Sequence, residues 1–105
     1  MVGGPIMLYI SYIKPKHMAV DNAKIEENRV ITDRFLAVMY QLIGMRVIRT
    51  KKEFGEAVGV CSTNIYRMEI EKSMNAPLYA IRRAHDKYDA SLEYIFTGKV
   101  RMFNK

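Results

Sequence analysis

The chain has 105 residues, half of them hydrophobic, enough for one compact domain and hardly two. Its formal net charge of +6 suits a polyanionic partner such as nucleic acid, acidic lipid or an acidic protein, although a solvated basic surface has the same balance. A single cysteine excludes an intramolecular disulfide and, with only two histidines beside it, offers no recognisable metal-ligand set; a reducing, cytoplasmic setting is expected, with no cofactor.

Residues 1–20 read as an N-terminal arm. Gly3, Gly4 and Pro5 deter helix, and the run IMLYISYIK is rich in β-formers, so the arm is strand-like. A lone strand needs a pairing partner, and the same arm of a second subunit is the most available one. The other reading is a segment added to, or mis-started ahead of, a chain that begins natively at Met18. The apolar run from Pro5 to Ile13 is too short to span a bilayer and has no basic residue before it, so neither a membrane anchor nor a secretion signal is expected.

A helix starts from Asp21 or Asn28, either of which can cap it, and runs to about Gly44 with Ile31, Phe35, Val38, Met39 and Leu42 along one stripe. The link MRVIR that follows should tuck Val47 and Ile48 inward and leave Arg46 and Arg49 outside. Residues 50–69, TKKEFGEAVGVCSTNIYRME, hold two short helical patterns that meet at a glycine with almost no loop. Thr50 and Glu53 form a capping box, so a helix starts at about Lys51. Phe54 and Val58 share one face, Gly59 supplies the left-handed end, and Val60 plugs the turn. Ile65 and Met68 continue the inward face of a second helix. Two helical patterns meeting with almost no loop are a helix-turn-helix signal, and Gly55 lies where a side chain would keep the two helices from crossing closely at the steep angle of that motif. A loop over residues 71–76 leads to a helix with Pro77 in its first turn and Leu78, Ile81, Ala84, His85 and Tyr88 on one face. Asp89 and Ala90 break it. Ser91 caps the last helix, in which Leu92, Ile95 and Phe96 bury, Tyr94 stays exposed and Gly98 ends the run. Residues 21–98 are thus the domain, and residues 99–105 a basic tail.

The motif resembles the lambda-repressor-like (Cro/repressor, Xre) family of helix-turn-helix DNA-binding domains, on the residue types at Phe54, Gly55, Val58, Gly59, Val60, Ile65 and Met68. Arg67-Met68-Glu69 looks like the family's R-[IL]-E, and residues 91–98, SLEYIFTG, look like its closing S-L-[DE]-x-L-L-T-G. The resemblance covers roughly the last three-quarters of the chain and implies an all-α, compact five-helix domain. It departs after Glu69, where Ile70-Glu71 replaces the usual Asn-Gly turn and the loop is one residue longer. The end of the second helix is therefore open, with a further turn toward Ser73 as one outcome.

With Ile65 and Met68 inward, a step of about 100° per residue puts Thr63, Tyr66, Arg67 and Ile70 outward, flanked by Ser62 and Asn64. Asn64 suits adenine, Arg67 suits guanine or a phosphate, and Thr63 or Ile70 suits a thymine methyl. The resemblance implies DNA contact at the positions matching Ser62, Thr63, Asn64 and Arg67, and backbone or outer-base contact at Lys51. Lys51 and Lys52 oppose the dipole of the helix they begin, which points to phosphate contact by at least one of them, against plain solvation. Arg46, Arg49, Lys72, Arg82 and Arg83 are weaker candidates for the same positioning role. Cys61 reads as a small buried hydrophobe rather than a redox thiol, with Ser62 taking over the cap; His85 reads as a core histidine, and Glu69 as a tie between the motif and its neighbours.

The expected function is a sequence-specific DNA-binding regulator acting by occupancy, as a homodimer on an inverted repeat of double-stranded DNA. The alternative is a protein-interaction module, such as an antitoxin or accessory subunit, with a protein partner and secondary DNA binding. No nucleophile–base pair, metal cluster or phosphate-binding glycine loop suggests an enzyme. If the arm pairs subunits, removing residues 1–17 yields monomers in light scattering; an unchanged dimer takes the arm out of the interface.

Overall fold

Five helices make up the computed structural model, which describes residues 22–104: α1 (Asn22–Gly44), α2 (Lys51–Val58), α3 (Ser62–Ile70), α4 (Leu78–Tyr88) and α5 (Leu92–Thr97). There is no strand among the described residues, so the domain is all-α as expected. The strand-like arm, Asp21 and Lys105 lie outside the described residues.

Helix α1 forms one wall of the core because its apolar residues recur at helical spacing: Phe35, Val38, Met39 and Leu42 are buried and Ile31 is partly so. It is already helical from Asn22, the first described residue, so Asn28 is not its cap; the good helix formers from Ala23 to Glu27 carry the helix straight through that position. Thr32 is the polar member of the buried stripe, and its hydroxyl accepts a hydrogen bond from the Ala76 amide at 3.0 Å, fixing the loop before α4 against α1. The link after α1 corrects one expectation. Arg46 takes a left-handed conformation (φ 62°), and the amides of Val47 and Ile48 both fold back toward the Leu42 carbonyl. That turn delivers Ile48 to the core and leaves Val47 52% exposed.

Thr50 caps α2, its hydroxyl accepting from the Glu53 amide at 3.1 Å. The Glu53 carboxylate reaches back one residue past the cap, accepting from the Arg49 amide at 2.9 Å. Gly59 (φ 85°) ends α2 and Val60 is buried beneath the turn. The Gly55 carbonyl accepts from the amides of both Gly59 (2.7 Å) and Val60 (2.8 Å). A side chain at Gly55 would collide with the Val60 carbonyl oxygen, so the obstacle is the turn itself rather than the facing helix. Ile65 and Met68 then bury from α3.

In α4 the inward residues are Ala80, Ile81 and Ala84, with His85 and Tyr88 half-buried beside them. Leu78 is 73% exposed, contrary to expectation, because it lies about 100° round the helix from the centre of that stripe. Pro77 occupies the cap position (φ −66°, ψ 145°), one residue before the first turn. The ring of Phe54 bridges Phe35 (centroids 5.3 Å) and Tyr88 (6.2 Å), joining α1, α2 and α4 through aromatic contact. Burial, with the charge of Glu53 adding to it, pushes the Tyr88 phenol above its ordinary range.

Asp89, left-handed at φ 61°, ends α4, and Ser91 caps α5 by accepting from the Tyr94 amide at 3.1 Å. The short α5 buries only Ile95 fully: Leu92 and Tyr94 are half-buried against the core, whereas Phe96, one step of about 100° beyond Ile95, is 43% exposed. Phe96 was expected inside and Tyr94 outside. The tail is also part of the domain rather than an appendage. The Ser91 amide donates to the Met102 carbonyl at 2.8 Å, the Asn104 amide donates to the Asp89 carbonyl at 2.9 Å, and Met102 and Phe103 pack on the core.

Gly55→Ala should destabilise by about 2 kcal/mol or more, since the gain of roughly 1 kcal/mol in helix propensity cannot offset overpacking against backbone. Gly44, with nothing within 4 Å of an added Cβ, is the matched control. Urea unfolding compares the two: similar midpoints for both alanine variants would disprove the steric role of Gly55.

Candidate nucleic-acid interface

Helix α3 begins directly after the turn at residues 59–61, with Cys61 at its cap position. The thiol makes no capping bond and is exposed, so Cys61 is not the buried hydrophobe expected of it, and Ser62 is the first helical residue rather than the cap. Ile65 and Met68 anchor one side of α3. This orients Ser62, Thr63, Tyr66 and Arg67 into solvent on the other, with Asn64 half-buried at the edge and Ile70 exposed at the end. The hydroxyls, the phenol and the guanidinium thus form one continuous outward face.

The end of α3 is settled by an arginine that sequence reading overlooked. Nη1 of Arg29, from α1, donates to the carbonyls of Met68 (2.6 Å) and Glu71 (3.2 Å), while Asp33 holds the same guanidinium at 2.7 Å. The positive charge satisfies the Met68 carbonyl, which the helix leaves unpaired, and joins the Met74 amide on the Glu71 carbonyl; α3 stops at Ile70 instead of continuing toward Ser73. Lys72 consequently lies exposed in the loop.

Lys51 and Lys52 open α2, but they differ. The Lys51 ammonium pairs with both carboxylate oxygens of Glu69 (3.0 and 3.1 Å) and lies 5.0 Å from the centre of the Tyr40 ring. Tyr40 in turn donates its hydroxyl to Glu69. Glu69 therefore ties α3 to both α1 and α2, as its place in the sequence implied. Lys51 remains partly exposed above this network, with its position along the helix fixed. Lys52 is fully on the surface.

Arg67 also has an intramolecular partner. Its Nε donates to Oε2 of Glu71 at 2.9 Å and its Nη2 to Oε1 at 3.1 Å. The hydrogen bond from Arg67 holds the Glu71 carboxyl below the usual range, and the same bond raises the arginine's affinity for its proton. Of the weaker positioning candidates, Arg83 is committed to the fold: Nη1 donates to the Val58 carbonyl at 3.4 Å, and the guanidinium lies 5.1 Å from the centre of the Tyr79 ring. Arg82 pairs with Asp86 one turn on. Arg46 and Arg49 are exposed. The half-buried His85 directs Nδ1 at the Ala90 carbonyl (2.9 Å), which fits the structural role read for it.

The four-residue separation of Arg67 and Glu71 was a signal available in the sequence. Tyr40 and Arg29 were not, since their partners are 29 and 39 residues away. Among the described residues no helix is long and apolar enough to cross a membrane. A scan against protein-family models and searches of curated proteins and of solved structures find no match to this chain.

Because the folded state lowers the Glu71 value, the Arg67–Glu71 pair contributes stability above the ordinary glutamate range and loses it only as pH falls through the lowered value. An NMR titration of the Glu71 side-chain carboxyl should give a midpoint below that of free glutamate, and Arg67→Ala should bring it back up. Identical midpoints in the two proteins would show that the pair does not form in solution.

Proposed function

We propose that this chain is a sequence-specific regulator that binds double-stranded DNA through a lambda-repressor-like helix-turn-helix and acts by occupying an operator. Helix α3 enters the major groove with its N-terminal end toward the base edges. The observation that carries this reading is the exposed face formed by Ser62, Thr63, Tyr66 and Arg67 on a helix anchored from behind by Ile65 and Met68. Asn64 reads from the edge of that face. Lys52, and Lys51 from its place on Glu69, contact the phosphate backbone from the start of α2. The regulator works in the cytoplasm as a homodimer on an inverted repeat, since one such motif spans only a half-site. It needs no cofactor and catalyses no reaction.

A protein-interaction module is the second reading. It is favoured by the open groove along α1 and the end of α5, where Val30 and Phe96 expose apolar surface beside Arg34 and Thr97. A stable co-purifying protein, with no DNA preference, would support it.

Selection of bound duplexes from a random pool at near-physiological salt tests the leading reading, because sequence preference separates a reader from a basic surface. An enriched inverted repeat is expected. Lys52→Ala should weaken binding evenly across sequences and reduce the salt dependence by about one counterion. Asn64→Ala should instead relax preference at a single base pair by roughly 1–3 kcal/mol. A pool that emerges unenriched, with only weak salt-sensitive binding, rules out sequence-specific recognition.

A further inference from the structure

On the reading of α3 as the groove-entering helix, we infer that Glu71 is a positioning residue that presents Arg67 end-on to a guanine. A guanidinium has five N–H donors in a rigid plane, and its bonding edges can be used separately. Glu71 takes the side edge, bonding Nε at 2.9 Å and Nη2 at 3.1 Å. The end edge, made of Nη1 and the second Nη2 proton, has no hydrogen-bond partner among the described residues and points away from the carboxylate. Two parallel N–H donors on that edge match O6 and N7 of guanine in the major groove.

The support beneath Glu71 makes this more than a loose surface pair. Its amide donates to the Arg67 carbonyl at 2.7 Å, and its own carbonyl accepts from Arg29 Nη1 at 3.2 Å. Arg29 is itself held by Asp33 at 2.7 Å. The backbone that carries the carboxylate is thus bonded on both sides, one of them to the longest helix of the fold. The pair restricts the guanidinium plane, so ordering it on binding costs less than for an arginine swinging free.

Charge separates this arrangement from a phosphate contact. Glu71 neutralises much of the positive charge that a phosphate would seek, and its carboxylate would repel the backbone. A base edge is neutral and is selected by donor geometry, which the pairing sharpens. Recognition of a guanine is therefore the use of Arg67 that the pair favours.

The test uses the full chain and the duplex enriched by the wild type, with affinities measured by fluorescence anisotropy for duplexes carrying each base at each position. Glu71→Gln and Glu71→Ala should lower the preference for guanine at one position by about 5-fold or more. Deleting a negative charge also raises affinity for every duplex, but that gain cancels in the ratio between bases. Arg67→Ala should remove preference at the same position, and in that background Glu71→Gln should change it no further. Circular dichroism of each variant checks that the helices persist. A uniform rise in affinity with unchanged base ratios means that Glu71 only repels phosphate, and overturns the assignment while leaving the DNA reading intact. If the wild type enriches no duplex, the DNA reading fails and the assignment falls with it.

Discussion

The fold depends on one backbone contact, the approach of the Val60 carbonyl to Cα of Gly55. No residue with a side chain fits there, and the Gly55 carbonyl holds the turn from the other side through the amides of Gly59 and Val60. Because the turn is this tight, α3 has little freedom relative to α2. Ile65 and Met68 must then enter the core beside Phe54 and Val58. The outward face of α3 is the complement of that anchoring. Its orientation is inherited from the turn rather than chosen by the exposed residues themselves.

A second theme is how the fold uses its arginines. Arg29, Arg34 and Arg83 each donate to carbonyls at the end of a helix, respectively α3, α5 and α2. Short helices gain most from this, since a larger share of their carbonyls lacks an internal partner. The net charge of +6 therefore overstates the basic surface open to a polyanion. Lys51 and Arg67 are also matched by Glu69 and Glu71, which converts diffuse attraction into fixed donors at defined places. Such a surface favours geometric selection over bulk electrostatics.

What could be read from the sequence was local. The Thr50 cap, the left-handed Gly59 and Gly98, the Ser91 cap and the inward positions Phe54, Val58, Ile65 and Met68 are set by neighbours within about a turn, and the structure has them where they were expected. Val47, Leu78 and Phe96 were expected inside and are exposed, each at the end of a helix or just beyond it. There periodicity has too few residues to fix a phase, and a single left-handed residue such as Arg46 can redirect the chain. Cys61 was misread for a related reason: composition favours burial of a thiol, whereas position at a helix start sets it in solvent. The ties among Tyr40, Lys51 and Glu69, and the Arg29 cap, join residues distant in sequence and follow only from the packing. For the candidate interface, the outward positions of α3 and the tie at Glu69 were legible, whereas the pairing of Arg67 with Glu71 one turn on was not drawn from their spacing.

The return of the tail alters where the folding unit ends. Ala90 is fully buried beneath it, and Phe103 forms an antiparallel bridge with that residue. The Ser91 amide, at the start of α5, finds its acceptor in the Met102 carbonyl. A chain cut at Gly98 would keep every helix, yet it would uncover an apolar seam and leave that amide with water alone. The helix-turn-helix boundary seen in the sequence and the boundary of the packed unit are therefore different. Residues 99–104 act as a clasp across the junction of α4 and α5 rather than as a trailing charge.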